Sequence, residues 1–188
     1  MINANIGLEH GMIYGLGYAS QFRVHNFPML ANFEVSIPSG NEIADDFKIK
    51  TGVQTRWLEL DHFQFSTKIQ GIFRRYQNDF TRLVNFGSDL SGVMGYYKSK
   101  WFAGAEVGFD KGIVTHFKHS EAYKGQFPGV IDGWHEPASG GNFYFGIQAG
   151  ISFAKGDLSI RAGKMMQQDF KSDPMVPAYA QVGYTVKF

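Results

Sequence analysis

The chain has 188 residues and a formal net charge of +1 at pH 7, with basic residues scattered rather than clustered, so binding to nucleic acid is not expected. It contains no cysteine, which excludes disulfide frameworks and thiolate metal sites. No linker or low-complexity tract interrupts it, so residues 1–188 are predicted to form a single domain.

Apolar and polar residues alternate with period two along most of the chain, which predicts β-strands. The first pattern, 2–22, contains the stretch LEHG at 8–11, which reads as a turn within it. No segment has a sustained helical period of 3.6 residues. In chain order the predicted strands cover 2–22 in one or two pieces, 29–37, 47–57, 63–74, 89–97, 101–110, 143–153, 158–163 and 178–188.

These strands are longer than the five or six residues typical of globular sheets and match the nine to eleven that cross a bilayer at a tilt. Ten glycines fall on the polar parity, where a narrow, concave barrel interior would use them to make room for long charged side chains. No apolar run approaches the ~20 residues of a transmembrane helix. No signal peptide begins the chain, so the sequence is expected to be either a protein that is not exported or a mature chain with an added Met.

Large aromatic residues stand at both ends of the apolar parity. Two aromatic rows about 20 Å apart are what the two lipid interfaces of a membrane select. The predicted membrane-interface residues are Trp57, Phe63, Trp101, Phe153 and Phe188 at short turns or the chain end, and Phe47, Phe73, Phe109 and Phe143 at the opposite ends.

The last strand, AYAQVGYTVKF, carries a spacing of its own: Gln181, then Gly183, then Val186 and a terminal Phe188. In this spacing the sequence resembles the bacterial outer-membrane β-barrels, whose assembly signal it matches. The resemblance implies an all-β fold, a transmembrane antiparallel up-and-down β-barrel of about ten strands, with eight as the alternative. It also implies a Gram-negative cell outer membrane location, with both termini and the short links periplasmic.

In that orientation the longer links are extracellular: 38–46, 75–88, 111–141 and 164–177. The expected partners are outer-membrane lipid, the outer-membrane assembly machinery and other outer-membrane proteins, and no cofactor is expected. The polar parity then lines the lumen, as an anion-preferring passage or as a salt-bridged plug; the plug is favoured because side chains largely fill so narrow a barrel. The predicted lumen residues are Glu34, Lys48, Lys50, Arg56, Lys68, Arg74, Glu106, Asp110, Arg161 and Lys187.

The longest loop contains metal-ligating residue types, but their spacing matches no established site, and no metal is predicted. Trp134 and Tyr123 are expected either to pack within that loop or to contact a partner. The candidate metal ligands are His116, His119 and His135, with Glu121, Asp132 and Glu136 in the same loop and Met165, Met166 and Met175 on the same side.

Ser139 with His135 and Glu136 contains the residue types of a hydrolase triad. Any loop of this composition would contain these residue types, and no GxSxG motif is present. Catalytic residues are therefore not predicted. The sequence therefore predicts a small, porin-like integral membrane protein, either a structural or accessory subunit or a narrow solute passage with a mostly filled polar lumen. The alternatives are a lipid-modifying outer-membrane hydrolase and a soluble β-barrel that binds an apolar ligand.

Overall fold

The computed structural model describes residues 1–9, 11–25, 27–39, 46–137, 140–170, 174 and 176–188. It contains eleven strands and one short helix, α1 (Glu121–Gln126). The strands are β1 (Ile2–Leu8), β2 (Met12–Val24), β3 (Phe27–Pro38), β4 (Phe47–Leu60), β5 (Phe63–Gln77), β6 (Thr81–Tyr97), β7 (Trp101–His119), β8 (Gly133–His135), β9 (Gly141–Phe153), β10 (Gly156–Gln167) and β11 (Ala178–Val186).

Ten of these strands form a closed antiparallel barrel. Each strand pairs with the next along the chain, β7 pairs with β9, and β1 pairs with β11 from Ile2–Val186 to Leu8–Ala180. The short strand β8 lies outside the barrel and pairs with the end of β7. The prediction of an all-β, up-and-down barrel of ten strands is confirmed. The eight-stranded alternative is wrong because the pattern 2–22 forms two strands and the short predicted strands, such as β10, all pair within the barrel.

The strands connect at two rims of different character. The lower rim carries the links 25–26, 61–62, 98–100 and 154–155 together with both chain ends. The upper rim carries the links 9–11, 39–46, 78–80, 120–140 and 168–177. Short links therefore alternate with mostly longer ones around the barrel.

Several strands extend further towards the upper rim than the alternation predicts. The expected link 75–88 shrinks to 78–80, β7 continues to His119, and β10 continues to Gln167. One cause is a β-bulge, where the β6–β7 register shifts between Phe86 and Gly87 and breaks the period of two on β7. A second register shift, between Arg56 and Leu58, breaks the period of two near the end of β4. The strand therefore runs to Leu60 instead of ending at residue 57 as predicted.

The barrel wall is apolar outside and polar inside. Its outer face exposes large hydrophobic side chains along whole strands, for example Leu16 at 62%, Met94 at 63% and Ile147 at 67%. Buried polar residues such as Ser36, Asp89 and Glu106 lie on the opposite parity. None of the helices that the structure describes is long and apolar enough to cross a membrane.

Interior glycines make room for aromatic rings more than for the charged chains that we expected them to accommodate. A methyl group at Gly108 would overlap the Tyr144 ring, and methyl groups at Gly146 or Gly163 would overlap the Tyr179 hydroxyl. Tyr144 and Tyr179, with the buried Met165, form an apolar cluster inside the barrel. The glycines thus let two tyrosines lie flat across neighbouring strands.

We expect Gly108→Ala to lower the free energy of unfolding by about 2 kcal/mol, because it overpacks the interior against Tyr144. Urea unfolding of the refolded barrel measures this. Gly71→Ala is the control, since the nearest atom to its added methyl group, the Thr51 carbonyl oxygen, lies 3.9 Å away. In a Tyr144→Ser background the loss of unfolding free energy caused by Gly108→Ala should largely disappear. An equal loss in both backgrounds would contradict this packing.

Candidate functional site: the charged interior

The middle of the barrel interior is a layer of charged side chains, which we call the midsection. It holds four cations and four carboxylates, so its formal charge is balanced. Its members are Glu9, Lys48, Lys50, Arg74, Asp89, Glu106, Asp110 and Arg161.

Strand alternation places cations and acids on different walls. Lys48 and Lys50 are two residues apart on β4, and Lys48 lies opposite Arg74 on β5. Asp89 on β6 lies directly opposite Asp110 on β7. Like charges opposite each other on neighbouring strands are destabilising, so each group needs a counter-charge from elsewhere.

That counter-charge comes from strands two or three positions away around the barrel. Lys50 Nζ lies 3.5 Å from Asp89 Oδ2 and 3.7 Å from Glu9 Oε1. Lys48 also pairs with Glu9, and Arg74 Nη2 lies 2.5 Å from Asp110 Oδ2. Each of these pairs joins strands that are not hydrogen-bonded neighbours in the barrel. The ion pairs therefore brace the wall from the inside.

Glu106 is the most heavily bonded of the acids. Arg161 Nε donates to both of its oxygens, at 2.6 and 2.7 Å, and the Tyr179 hydroxyl donates to Oε1. The Arg161 guanidinium also lies 5.1 Å from the Tyr179 ring centroid and 5.5 Å from that of Tyr144. The Tyr144 hydroxyl donates to Asp89 Oδ1 at 2.9 Å. Arginine and tyrosine together thus tie two of the acids into one network.

Little space remains between these side chains. The void that Lys50, Asp89, Tyr144, Arg161 and Tyr179 help to line has a volume of about 20 Å³. A cavity of this size holds about one water molecule. This void is too small for any solute larger than water.

Of the other predicted lumen residues, Glu34 lies directly opposite Lys50 on the neighbouring strand, whereas Arg56 and Lys187 lie at the lower rim. Glu34 accepts from Asn5 at 3.5 Å and Ser36 at 3.3 Å. Lys68 makes no ion pair within the part of the chain that the structure describes. At the lower rim Arg56 pairs with Glu59 at 3.3 Å and Lys187 with Asp157 at 2.7 Å, and their side chains are 41% and 45% exposed.

Two midsection acids, Glu9 and Asp89, were not identified from the sequence. Glu9 falls in the LEHG stretch, which reads as a turn, although it follows the interior parity of Asn3, Asn5 and Gly7. Asp89 stands at the predicted start of a strand and shares the parity of Ser91. Continuing the interior parity to Glu9 and to Asp89 would have assigned both residues to the lumen.

The predicted lower aromatic row lies on the outer surface. Its side chains are largely exposed: Trp57 at 55%, Phe63 at 58%, Trp101 at 43%, Phe153 at 56% and Phe188 at 79%. At the other end the predicted residues pack in pairs, Phe47 against Phe73 at 5.8 Å and Phe109 against Phe143 at 4.5 Å between ring centroids. Three further aromatic rings, which the alternation did not predict, also belong to this upper row: Phe86, Trp134 and Phe170.

The predicted assembly-signal residues divide between the two faces of β11. Gln181 and Gly183 lie on the interior side, whereas Val186 is 40% exposed on the outside. Phe188 follows the strand at the lower rim. The same strand pairs with both β1 and β10, so its backbone is bonded on both edges.

The long upper link folds around Asp132. Its Oδ1 accepts from the His119 backbone N–H at 2.8 Å and contacts His119 Nδ1 at 2.9 Å, while Lys124 Nζ lies 2.8 Å from Oδ2. These hydrogen bonds, first from Lys124 and then from His119, hold the pKa of Asp132 below its usual range. Ser120 caps α1, and Tyr123 stacks on His119 with centroids 5.4 Å apart. Tyr123 thus packs within the loop.

The three candidate metal-binding histidines have separate surroundings. His116 packs on Trp134 at 4.9 Å, His119 bonds Asp132, and His135 packs on Phe117 at 5.6 Å between centroids. Among the described residues no three or more His, Cys, Asp or Glu side chains are grouped so that they could hold a metal ion. Met175 and Ser139 lie outside the described residues.

No protein-family model and no curated protein matches the chain. Among solved structures, a KdgM porin matches with 11% identity and a TM-score of 0.49, covering 100% of this chain and 98% of that one. The outer-membrane enzyme PagL matches with 14% identity and a TM-score of 0.41, covering 100% and 99%. Similarity this low carries no argument about activity. The architecture itself, a closed barrel with a charged interior and an apolar outer wall, is that of a small outer-membrane β-barrel.

We expect Glu106→Gln to lower the free energy of unfolding by about 2 kcal/mol, because it leaves the Arg161 charge without its partner inside the barrel. Urea unfolding followed by tryptophan fluorescence measures it. In the Glu106→Gln/Arg161→Gln double variant the loss should be smaller than the sum of the two single losses. Asp157→Asn at the lower rim is the control and should lower the free energy of unfolding by less than about 1 kcal/mol. An equal loss at both sites would argue against a stabilising role of the interior ion pair.

The depressed pKa of Asp132 sets the direction of a pH effect on the upper link. Because Asp132 stays ionised, it holds the link at any pH above the ordinary carboxyl value of 3.8, and this contribution is lost as the pH falls below that value. Hydrogen exchange over 120–132 should therefore stay slow between neutral pH and about pH 5 and rise at neutral pH in Asp132→Asn. Glu121→Gln, which spares Asp132, is the control; unchanged exchange in Asp132→Asn would refute this role.

Proposed function

We propose that the protein is an integral outer-membrane β-barrel with an occluded lumen, which acts as a structural or accessory component of the membrane rather than as an open solute pore. The observation that carries this proposal is the midsection, where balanced ion pairs leave a void of about 20 Å³. A pore that conducts small solutes needs a continuous water path, and this network interrupts it.

Neither of the two alternatives is favoured by the described residues. A soluble barrel that binds an apolar ligand needs an apolar interior, and the described interior is charged while the outer wall is apolar. A lipid-modifying hydrolase needs a nucleophile, and the candidate Ser139 lies outside the described residues. No specific observation favours either activity.

We also propose that the lower rim faces the periplasm and the upper rim faces the outside. The short lower-rim links and the presence of both chain ends at that rim support this orientation, since outer-membrane barrels have short periplasmic turns. In this setting outer-membrane lipid surrounds the barrel and the assembly machinery inserts it, with other outer-membrane proteins as further partners.

The wild-type barrel, reconstituted in planar lipid bilayers, should show no stable conductance steps, because the midsection blocks the water path. Heat-dependent migration in gels would establish that the sample is folded. The charge-balanced variant Glu106→Ser/Arg161→Ser removes both side chains of one brace and should produce small steps. Large, frequent steps from the wild type would contradict the occluded lumen.

Because the chain has no cysteine, single cysteines report orientation without background. In intact cells a membrane-impermeant maleimide should label Gly129→Cys in the upper link and should not label Ser99→Cys in the lower turn 98–100. Permeabilised cells should label both, which controls for reactivity. The reverse pattern in intact cells would mean the opposite orientation.

A further inference from the structure

Below the midsection the interior widens into a vestibule at the lower rim, with a volume of about 440 Å³. Its wall includes two arginines, Arg23 and Arg56, and neutral hydrogen-bonding side chains such as Gln54 and Ser66. The charge in this vestibule is not balanced as it is in the midsection.

The two arginines flank one residue of the strand between them. Arg23 on β2 lies opposite Pro28 on β3, and the β3–β4 ladder ends at Met29 and Thr55, one step before Pro28 and Arg56. Within the described residues Arg23 has no ion-pair partner. Arg56 lies 3.3 Å from Glu59, but both side chains are exposed. Such a pair is weak, so another anion can displace Glu59 from Arg56.

An apolar groove lies on the outer face of the same wall, with a volume of about 480 Å³. Phe27, Trp57, Ile69 and Leu90 are among its lining residues. Trp57 packs edge-on against Phe27 at 5.7 Å, and its Nε1 donates to Thr67 Oγ1 at 2.7 Å, which fixes the indole.

The vestibule and the groove lie on opposite faces of this wall, at the height where the β3–β4 backbone pairing ends at Met29 and Thr55. Met29 lines both. Arg56 and Trp57 are consecutive residues at the β4 bulge, the arginine lining the vestibule and the tryptophan lining the groove. A ligand that fills both therefore needs an anionic group next to a long apolar chain.

We propose that this wall binds an anionic phospholipid of the adjacent leaflet, with the phosphate at Arg23 and Arg56 and an acyl chain in the groove. Paired guanidinium groups suit phosphate oxygens because each can donate two parallel hydrogen bonds. A free anion would leave the groove unused, and a neutral lipid would leave Arg23 without a counter-charge. The inference rests on the proposed membrane location.

The test uses the full chain with Trp57 as its only tryptophan, in Trp101→Phe/Trp134→Phe, reconstituted in phosphatidylcholine vesicles. A small fraction of the lipid is brominated on its acyl chains, as phosphatidylglycerol in one sample and phosphatidylcholine in the other. Trp57 quenching should show about a tenfold preference for phosphatidylglycerol over its mole fraction. Arg23→Gln/Arg56→Gln should abolish the preference, and Glu59→Gln should increase it.

Lys98→Gln/Lys100→Gln is the matched control, because it removes the same charge from the same rim beside Trp101 instead. It should leave the preference at Trp57 unchanged; an equal loss there would mean a general attraction to the rim and would overturn the site. Loss of the preference in inorganic phosphate at constant ionic strength would mean a site for free anions. A barrel that inserts without any preference refutes the lipid site, whereas failure to insert refutes the membrane function itself.

Discussion

Ion pairs inside the lumen are the constraint on which the rest of the barrel depends. A charge inside a narrow barrel is costly unless a partner offsets its lost hydration. Because Lys50 reaches Asp89 and Arg161 reaches Glu106 over one intervening strand, each pair requires the wall to curve inwards and the registers to be correct. A one-residue slip of β4 would turn its lysines towards lipid, so the charges also specify the register.

The same constraint separates three levels of the interior. The midsection is neutral in formal charge and leaves a void of only about 20 Å³. Below it, Arg23 has no described counter-charge and Arg56 shares only an exposed contact. Above it, the upper link is held by Asp132 through His119 and Lys124. The three levels therefore differ in charge: balanced ion pairs in the midsection, an arginine without a described ion-pair partner below it, and a carboxylate-centred network above it.

The period of two along the chain predicted the strands and the side of the wall on which Lys48 or Glu106 falls, whereas the barrel of ten strands followed from the resemblance of the last strand to those of outer-membrane barrels. It failed where the period itself breaks. The bulge at Trp57 and the one that shifts the register at Phe86 each place an extra residue in a strand, and above the apolar band the outer face carries polar residues such as Arg82 and Lys118. The pairing of Arg74 with Asp110 could not be predicted, because it depends on how a closed barrel brings separated strands together.

The closing seam between β1 and β11 has a consequence for the surrounding bilayer. β1 has 7 residues, whereas β7 has 19. At about 3.3 Å per residue and a tilt near 40°, seven residues span roughly 18 Å, less than the ~25 Å apolar band of an outer-membrane barrel. In the membrane location proposed above, we therefore expect the bilayer to be thinnest next to the seam, at a cost that grows with each ångström of mismatch.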